Sequence, residues 1–213
     1  RINEADIKTH VRHRLPGAPG SSGSMPSGAP QALPDFSRWG QIDTEEMDTV
    51  RRLTARSTSG SWATIPHVTQ FDEADISTVM AFIQKNTVKV EKAGAKLTGT
   101  AIITRVCAEG LKRFPLFNAS IDMTAYRIIL KRYIHIGIAA DTPRGLLVPV
   151  IRNADQRSLV DLALSIGDLS TRARSKKLKP DEMEGGTFTI SNQGGIGGVG
   201  FTPIVLWPQV AIL

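Results

Sequence analysis

Apolar and polar positions follow two rhythms along this chain, and each rhythm predicts a different element. Asp75 to Gln84 places Ile76, Val79, Met80 and Ile83 at the i, i+3, i+4, i+7 spacing of one helix face. Asp43 to Arg56 opens with Asp43 and Glu46 at capping-box spacing, then sets Met47, Val50 and Leu53 on one side, which predicts another helix. Leu97 to Phe114 is apolar on most sides and predicts a long, buried helix. Ser158 and Asp161 form a cap signal for a further one. Its inner face is Leu159, Leu162, Ala163, Ile166, Leu169 and Ala173, and its basic last turns suit the negative end of the helix dipole.

A period of two governs other stretches. Arg132 to Ala140 sets Ile134, Ile136 and Ile138 on one face and Tyr133 and His135 on the other. Asp141 to Gly145 reads as a turn and Leu146 to Ile151 as the returning strand of a hairpin. Ala63 to Phe71 reads as a strand that Pro66 confines to an edge or a bulge. Thr187 to Asn192 reads as a strand, Gln193 to Gly200 as a glycine-rich loop, and Ile204 to Trp207 and Val210 to Leu213 as further strands. The expected class is α+β, two-layered, with a mixed and largely antiparallel sheet.

The N-terminal part is different material. Ile2 to Arg14 reads as a short helix, an arm or the tail of a helical module, too short to bury a core. Pro16 to Pro34 is dominated by proline, glycine and serine, which predicts a stiffened spacer. The expected organisation is therefore a module end at 1–15, a linker at 16–34 and the main domain at 35–213. The chain opens on Arg1 rather than Met and stops within an apolar run, so both ends are expected to be cut.

Composition narrows the function classes. Of 213 residues, 41% are apolar and 22% charged, enough for a core and too balanced for wholesale disorder. No apolar run approaches the ~20 residues of a membrane-spanning helix. The net charge of +6 is spread out and the 6% of aromatics do not interleave with the basic clusters, which argues against a nucleic-acid binder. One cysteine, Cys107, rules out an intrachain disulfide and any cysteine-cluster metal site, and no histidine pair has metal-ligand spacing.

No complete catalytic set is visible in the motifs. His10 and His13 read as solvated. His67, beside Pro66, reads as a structural hydrogen-bonding residue or a general base, and His135 as a packed core residue. There is no Gly-x-Ser-x-Gly elbow. The loop Asn192 to Gly200 lacks Gly-x-Gly-x-x-Gly or Walker spacing, which leaves a phosphate cradle, a wide turn, or a close backbone approach to a ligand. Alternation puts Thr187, Thr189 and Ser191 on one strand face, and a hydroxyl at such a strand end can donate to a developing oxyanion.

These residues carry a resemblance. Ile65-Pro-His-Val-Thr-Gln-Phe71, Phe117-Asn-Ala-Ser120, Tyr133-Ile-His-Ile-Gly137, Asp141-Thr-Pro-Arg-Gly-Leu-Leu-Val-Pro-Val-Ile151, Ala173-Arg-Ser-Lys-Lys-Leu178, Gly186-Thr-Phe-Thr-Ile-Ser-Asn192 and Phe201-Thr-Pro-Ile204 occur in one order over Asp35 to Leu213. That stretch resembles the catalytic domain of the dihydrolipoamide acyltransferases, the core subunits of 2-oxo-acid dehydrogenase complexes, and looks most like the bacterial, acetyl-transferring, pyruvate dehydrogenase branch. Arg1 to Leu15 resembles the end of the family's peripheral-subunit-binding module.

The resemblance implies a chloramphenicol-acetyltransferase-like fold that forms homotrimers, which build a larger core, usually a 24-mer. It implies acetyl transfer between dihydrolipoamide and coenzyme A at a site between two subunits. It also implies lipoate on upstream lipoyl domains, pyruvate dehydrogenase and dihydrolipoamide dehydrogenase as partners, no nucleic acid, no membrane, no metal, and a cytoplasmic location. Residue by residue, Ser191 matches the oxyanion donor, and Phe201, Thr202 and Asp141 match positions near the coenzyme A channel. Lys131, Arg132 and Arg144 are candidates for its phosphates by charge alone.

The family's general base is a histidine in His-Arg-x-x-Asp-Gly, and no such motif occurs among these residues. The expectation is a C-terminally truncated, inactive catalytic domain. The alternatives are a non-catalytic core subunit, or the same reaction with a succinyl or branched-chain acyl group.

Overall fold

Strand β3 (Ile136–Ile138) is buried on both faces and organises the sheet around it in the computed structural model. The structure describes residues 32–143, 145–195 and 197–213. The expected N-terminal helix with His10 and His13, the module end and most of the spacer lie outside the described residues, as does Arg144.

The chain divides into two units, Arg1–Glu45 and Glu46–Leu213. Among the described residues of the first, a 3-10 turn spans Phe36–Arg38, and the Asp35 carboxylate accepts from the Ser37 amide and hydroxyl at 3.0 and 2.6 Å.

Among its described residues the second unit holds four α-helices, α1 (Thr49–Thr64), α2 (Ser77–Lys92), α3 (Gly99–Arg113) and α4 (Leu159–Arg174). Its seven strands are β1 (Ala119–Asp122), β2 (Arg127–Leu130), β3, β4 (Ala140–Thr142), β5 (Gly145–Leu147), β6 (Val150–Ile151) and β7 (Phe188–Ile190). Helix α4 starts where the cap signal placed it. The Ser158 hydroxyl accepts from the Asp161 amide at 3.1 Å, and the Asp161 carboxylate accepts from the Ser158 amide at 3.2 Å, so two otherwise orphaned donors are satisfied.

Helix α1 starts later than predicted. Asp48, not Asp43, is the cap, with its carboxylate on the Arg51 amide at 2.8 Å. The acidic run offers several caps, and the one whose carboxylate reaches a free amide of the first turn wins.

The mixed sheet runs β6-β3-β7. Ile136 and Gly137 pair antiparallel with Ile151 and Val150, while Ile136, Gly137 and Ile138 pair parallel with Phe188, Thr189 and Ile190. The predicted hairpin is present but broken at Pro149, which has no amide to give to a ladder, so its outer part forms the separate pair β4–β5. Gly137 is needed at the centre, because a Cβ there would lie 2.8 Å from Val148 Cγ1 and 3.1 Å from Thr189 Oγ.

Helices α3 and α4 cover one face of this sheet. Ala108 and Leu111 meet Ile134, Ile136, Ile138, Ile151, Leu162, Leu169, Phe188 and Ile190 in the main core. A second cluster joins Val90, Leu97, Ala101 and Ala163. The expectation that α3 is buried on most sides is corrected. Ala101, Thr104, Ala108 and Leu111 are buried, while Val106 on another face is 64% exposed.

Two further expectations fail for a shared reason. Ala63 to Phe71 is no strand, since α1 runs to Thr64 and the rest continues without a ladder partner. Ile204 to Trp207 is no strand either, and Val210 to Leu213 contributes only an isolated parallel bridge between Thr189 and Ile212. Proline stands at 66, 203 and 208 in these stretches. The Val205 and Trp207 amides and the Pro208 carbonyl go instead to side chains of distant elements, while the Gln209 amide bonds Leu206 O locally. The β1–β2 hairpin had no counterpart in the periodicity. Its turn is set by Asp122, whose carboxylate accepts from Thr124 and Ala125 amides at 3.0 Å each.

Candidate functional site

The alternation that put three hydroxyls on one face of β7 is used unevenly. The Thr187 hydroxyl accepts from the His135 amide at 3.1 Å, and the Thr189 hydroxyl donates to Gln209 Oε1 at 2.8 Å. Both threonines are buried. Ser191, one residue past the strand, is half-buried, and its hydroxyl has no hydrogen-bond partner among the described residues. Its backbone is fixed nonetheless. The Ser191 amide donates to the Leu213 carbonyl at 2.6 Å, the Leu213 amide to Thr189 O at 3.0 Å, and the Ala139 amide to Ile190 O at 2.9 Å.

Ser191 opens into a cleft of about 270 Å³. Thr100 and Ile103 of α3 form one wall, the glycine loop and Phe201 another, and Leu213 closes one end. No Asp, Glu, His, Lys or Arg side chain lines it among the described residues. It therefore presents a hydroxyl donor in a mostly apolar frame, an arrangement suited to meeting developing negative charge and holding no base of its own.

The loop is built as a turn. Gly197 and Gly198 have φ of +95° and +109°, which side-chain-bearing residues rarely adopt. Two of its amides are already bonded internally, Gly194 N to Asn192 Oδ1 at 2.8 Å and Gly197 N to Gln193 O at 3.3 Å. A phosphate cradle would leave such donors free, so the geometry favours the turn and close-approach readings. Asn192 Nδ2 also donates to Thr100 Oγ at 3.1 Å, tying the loop to the start of α3. Neither Thr100 nor this tie was found from the sequence, although Asn two residues before Gly is an Asx-turn signal.

The other candidates lie as follows. Phe201 shares the cleft with Ser191. Thr202 is its exposed chain neighbour and does not line the cleft. Asp141 is exposed on the β4–β5 pair, opposite Leu146, and is not part of the cleft. Arg132 is exposed.

Lys131, a candidate for phosphates by charge, is engaged within the fold. Its ammonium donates to Ala119 O at 3.1 Å and Ser120 Oγ at 2.6 Å, and burial holds its pKa below the usual lysine range. Asn118 fastens the same stretch between β2 and β3, with Nδ2 on Lys131 O and Tyr133 O at 3.1 and 2.9 Å.

Neither described histidine is placed as a base for Ser191. Both ring nitrogens of His67 are engaged, one with Ile65 O at 2.8 Å and the other with the Val205 amide at 2.9 Å. His135 Nδ1 accepts from the Asn153 amide at 3.0 Å, and the ring packs tilted at 51° against Tyr133, with centroids 4.6 Å apart. The Cys107 thiol is pushed up to about 11 by burial in an apolar groove with Phe114, Phe117 and Phe188. Burial thus disfavours its thiolate. No group of three or more metal-ligating side chains occurs among the described residues.

Comparison with known proteins gives consistent relatives. The family model described as 2-oxoacid dehydrogenases acyltransferase (catalytic domain) matches residues 40–213. A Pseudomonas aeruginosa protein, the dihydrolipoyllysine-residue acetyltransferase component of pyruvate dehydrogenase complex, is 44% identical over 216 residues, covering 100% of this chain and 40% of that protein.

A solved structure of Azotobacter vinelandii dihydrolipoamide acetyltransferase, studied for the role of a serine, a histidine and an asparagine in its catalytic mechanism, superposes with a TM-score of 0.83 at 47% identity. The match covers 86% of this chain and 76% of that one. The cubic core of a pyruvate dehydrogenase multienzyme complex superposes equally well, with a TM-score of 0.83 at 47% identity and the same coverage. The chain spans less than half the length of the curated relatives named for that component from Pseudomonas and Azotobacter, 40% and 28%.

Proposed function

Since the chain belongs to the 2-oxoacid dehydrogenase acyltransferase family and has the chloramphenicol-acetyltransferase-like fold of its cores, we propose that the protein it forms transfers an acetyl group between dihydrolipoamide and coenzyme A as a core subunit of a pyruvate dehydrogenase complex. The observation that carries this reading is the Ser191 hydroxyl at the end of β7, without a hydrogen-bond partner among the described residues and lining a cleft to which those residues bring no charged side chain.

In this scheme the coenzyme A thiolate attacks the thioester carbon, and the carbonyl oxygen becomes an oxyanion. Ser191 donates to that oxygen. When the tetrahedral adduct collapses, the carbon–sulfur bond to dihydrolipoamide breaks and the leaving thiolate takes up a proton. Phe201 and the glycine loop keep the reacting atoms out of bulk water. The described residues supply the donor and the walls; the base that removes the thiol proton is not among them. We therefore take the 213 residues alone to be inactive.

Assembly belongs to the same reading. Ile128, Ile129 and Leu130 of β2 are 60, 50 and 43% exposed, an apolar surface that further copies would cover in a homotrimer and a cubic, 24-subunit core. Lipoate on upstream lipoyl domains would deliver the acyl group, with pyruvate dehydrogenase and dihydrolipoamide dehydrogenase as partner enzymes, in the cytoplasm.

Thioester exchange by the full-length protein tests the proposal, with acetyl-, succinyl- and isobutyryl-coenzyme A offered to dihydrolipoamide. Preference for acetyl supports it. Preference for another acyl group changes the complex, and no exchange with any donor leaves the core-subunit role alone. The absence of a base from the described cleft is the observation that favours this second reading.

A further inference from the structure

The stretch that follows the cleft wall makes no ladder, yet two of its amides are held by one part of the chain. The Val205 amide donates to His67 Nε2 at 2.9 Å, and the Trp207 amide to Ser61 Oγ at 3.0 Å. Ser61 is buried in the last turn of α1, and His67 lies just beyond it, stacked on Trp62 with ring centroids 5.0 Å apart. Further along the same stretch, the Phe71 ring sits 3.0 Å from where a Cβ on Gly200 would stand. Phe201, a wall of the Ser191 cleft, therefore lies between anchors at 200 and at 205–207.

The bonding also fixes the state of the ring. An amide can only donate and a carbonyl can only accept. With Nε2 receiving the Val205 amide, the proton must sit on Nδ1, where it is donated to Ile65 O at 2.8 Å. His67 is thus a rigid adaptor, oriented by its own backbone on one side and presenting a lone pair to a segment 138 residues away on the other.

We propose that His67, supported by Ser61, is a positioning residue for acyl transfer, holding the 201–207 segment so that Phe201 closes the cleft opposite Ser191. The role rests on the acyltransferase reading only for its effect on turnover; the clamp itself does not.

Two substitutions separate it from plain packing. A glutamine can place its carboxamide oxygen near Nε2 and still accept the Val205 amide. An asparagine is too short for that and mimics Nδ1 only. In the full-length protein, His67→Asn is expected to accelerate exchange of the Val205 amide at least tenfold and of the Phe201 and Thr202 amides several-fold. It should lower kcat about tenfold while α3 and α4 amides stay protected. His67→Gln should restore both exchange and kcat to within about twofold of wild type.

Ser61→Ala gives a second, milder arm, with faster exchange at Trp207. Unchanged Val205 exchange in His67→Asn overturns the clamp. Accelerated exchange with a kcat equal to that of His67→Gln overturns the positioning role. If the wild-type protein transfers no acyl group, the acyltransferase reading falls by itself, and exchange at Phe201 and Thr202 still decides the clamp.

Discussion

The Ser191 amide and the Leu213 carbonyl are bonded at 2.6 Å, so the residue that offers a free hydroxyl to the cleft is held by its main chain and not by its side chain. That division separates function from stability. If Ser191 donates to the oxyanion as proposed, Ser191→Ala removes that donor without breaking a side-chain hydrogen bond of the described fold. Turnover of the full-length protein should fall by ~10²–10³ with little change in KM, while the melting temperature stays within a degree or two. Steady-state kinetics and thermal denaturation check both halves.

Gly137→Ala should do the opposite. The new methyl would meet Val148 Cγ1 at 2.8 Å and Thr189 Oγ at 3.1 Å, and Thr189 is already committed to Gln209. Overpacking at the central strand is expected to cost about 1–3 kcal/mol, read as a lower denaturant midpoint. A midpoint equal to that of the wild type would show that β3 and β7 can part without penalty.

Cys107 should resist thiol reagents. With its pKa pushed up to about 11 from an ordinary 9.0, its thiolate fraction near neutral pH is about 10²-fold below that of an unperturbed cysteine. Alkylation by iodoacetamide should be slower by a similar factor and should recover on denaturation. Rapid labelling of the native protein would contradict the burial.

Acid sensitivity should trace partly to Glu182. Its carboxylate lies 2.7 Å from Arg172 and accepts from the Lys179 amide at 2.9 Å; these donors hold its pKa at about 2, below its ordinary 4.5. The unfolded chain therefore binds the proton more readily. The stabilisation is complete above pH 4.5 and is lost as pH falls toward 2. Wild type and Glu182→Gln should differ in melting temperature by a constant amount above about pH 5, and the difference should close below it.

What was legible beforehand followed from short-range patterns. The period-two run placed Ser191 beyond two buried threonines, and Ser158 with Asp161 marked the start of α4 within one turn. Failures came where the deciding partner lies far along the chain. The 204–207 stretch has strand-like composition, but its amides are taken by His67 and Ser61, which periodicity cannot see. Lys131 looked available by charge, and only the fold shows its ammonium on Ser120 and Ala119. Choosing Asp48 over Asp43 as a cap likewise depends on which carboxylate reaches a first-turn amide.

The side-chain anchoring of the 205–209 segment bears on the order of assembly during synthesis. Three of its partners sit 138, 146 and 88 residues upstream, on His67, Ser61 and Ser120, and each of those loops can close only once its own residue of the segment has left the ribosome. Closing such distant loops is slow compared with forming helices. The helical layer can therefore form on the nascent polypeptide before the wall of the pocket around Ser191 is tied down.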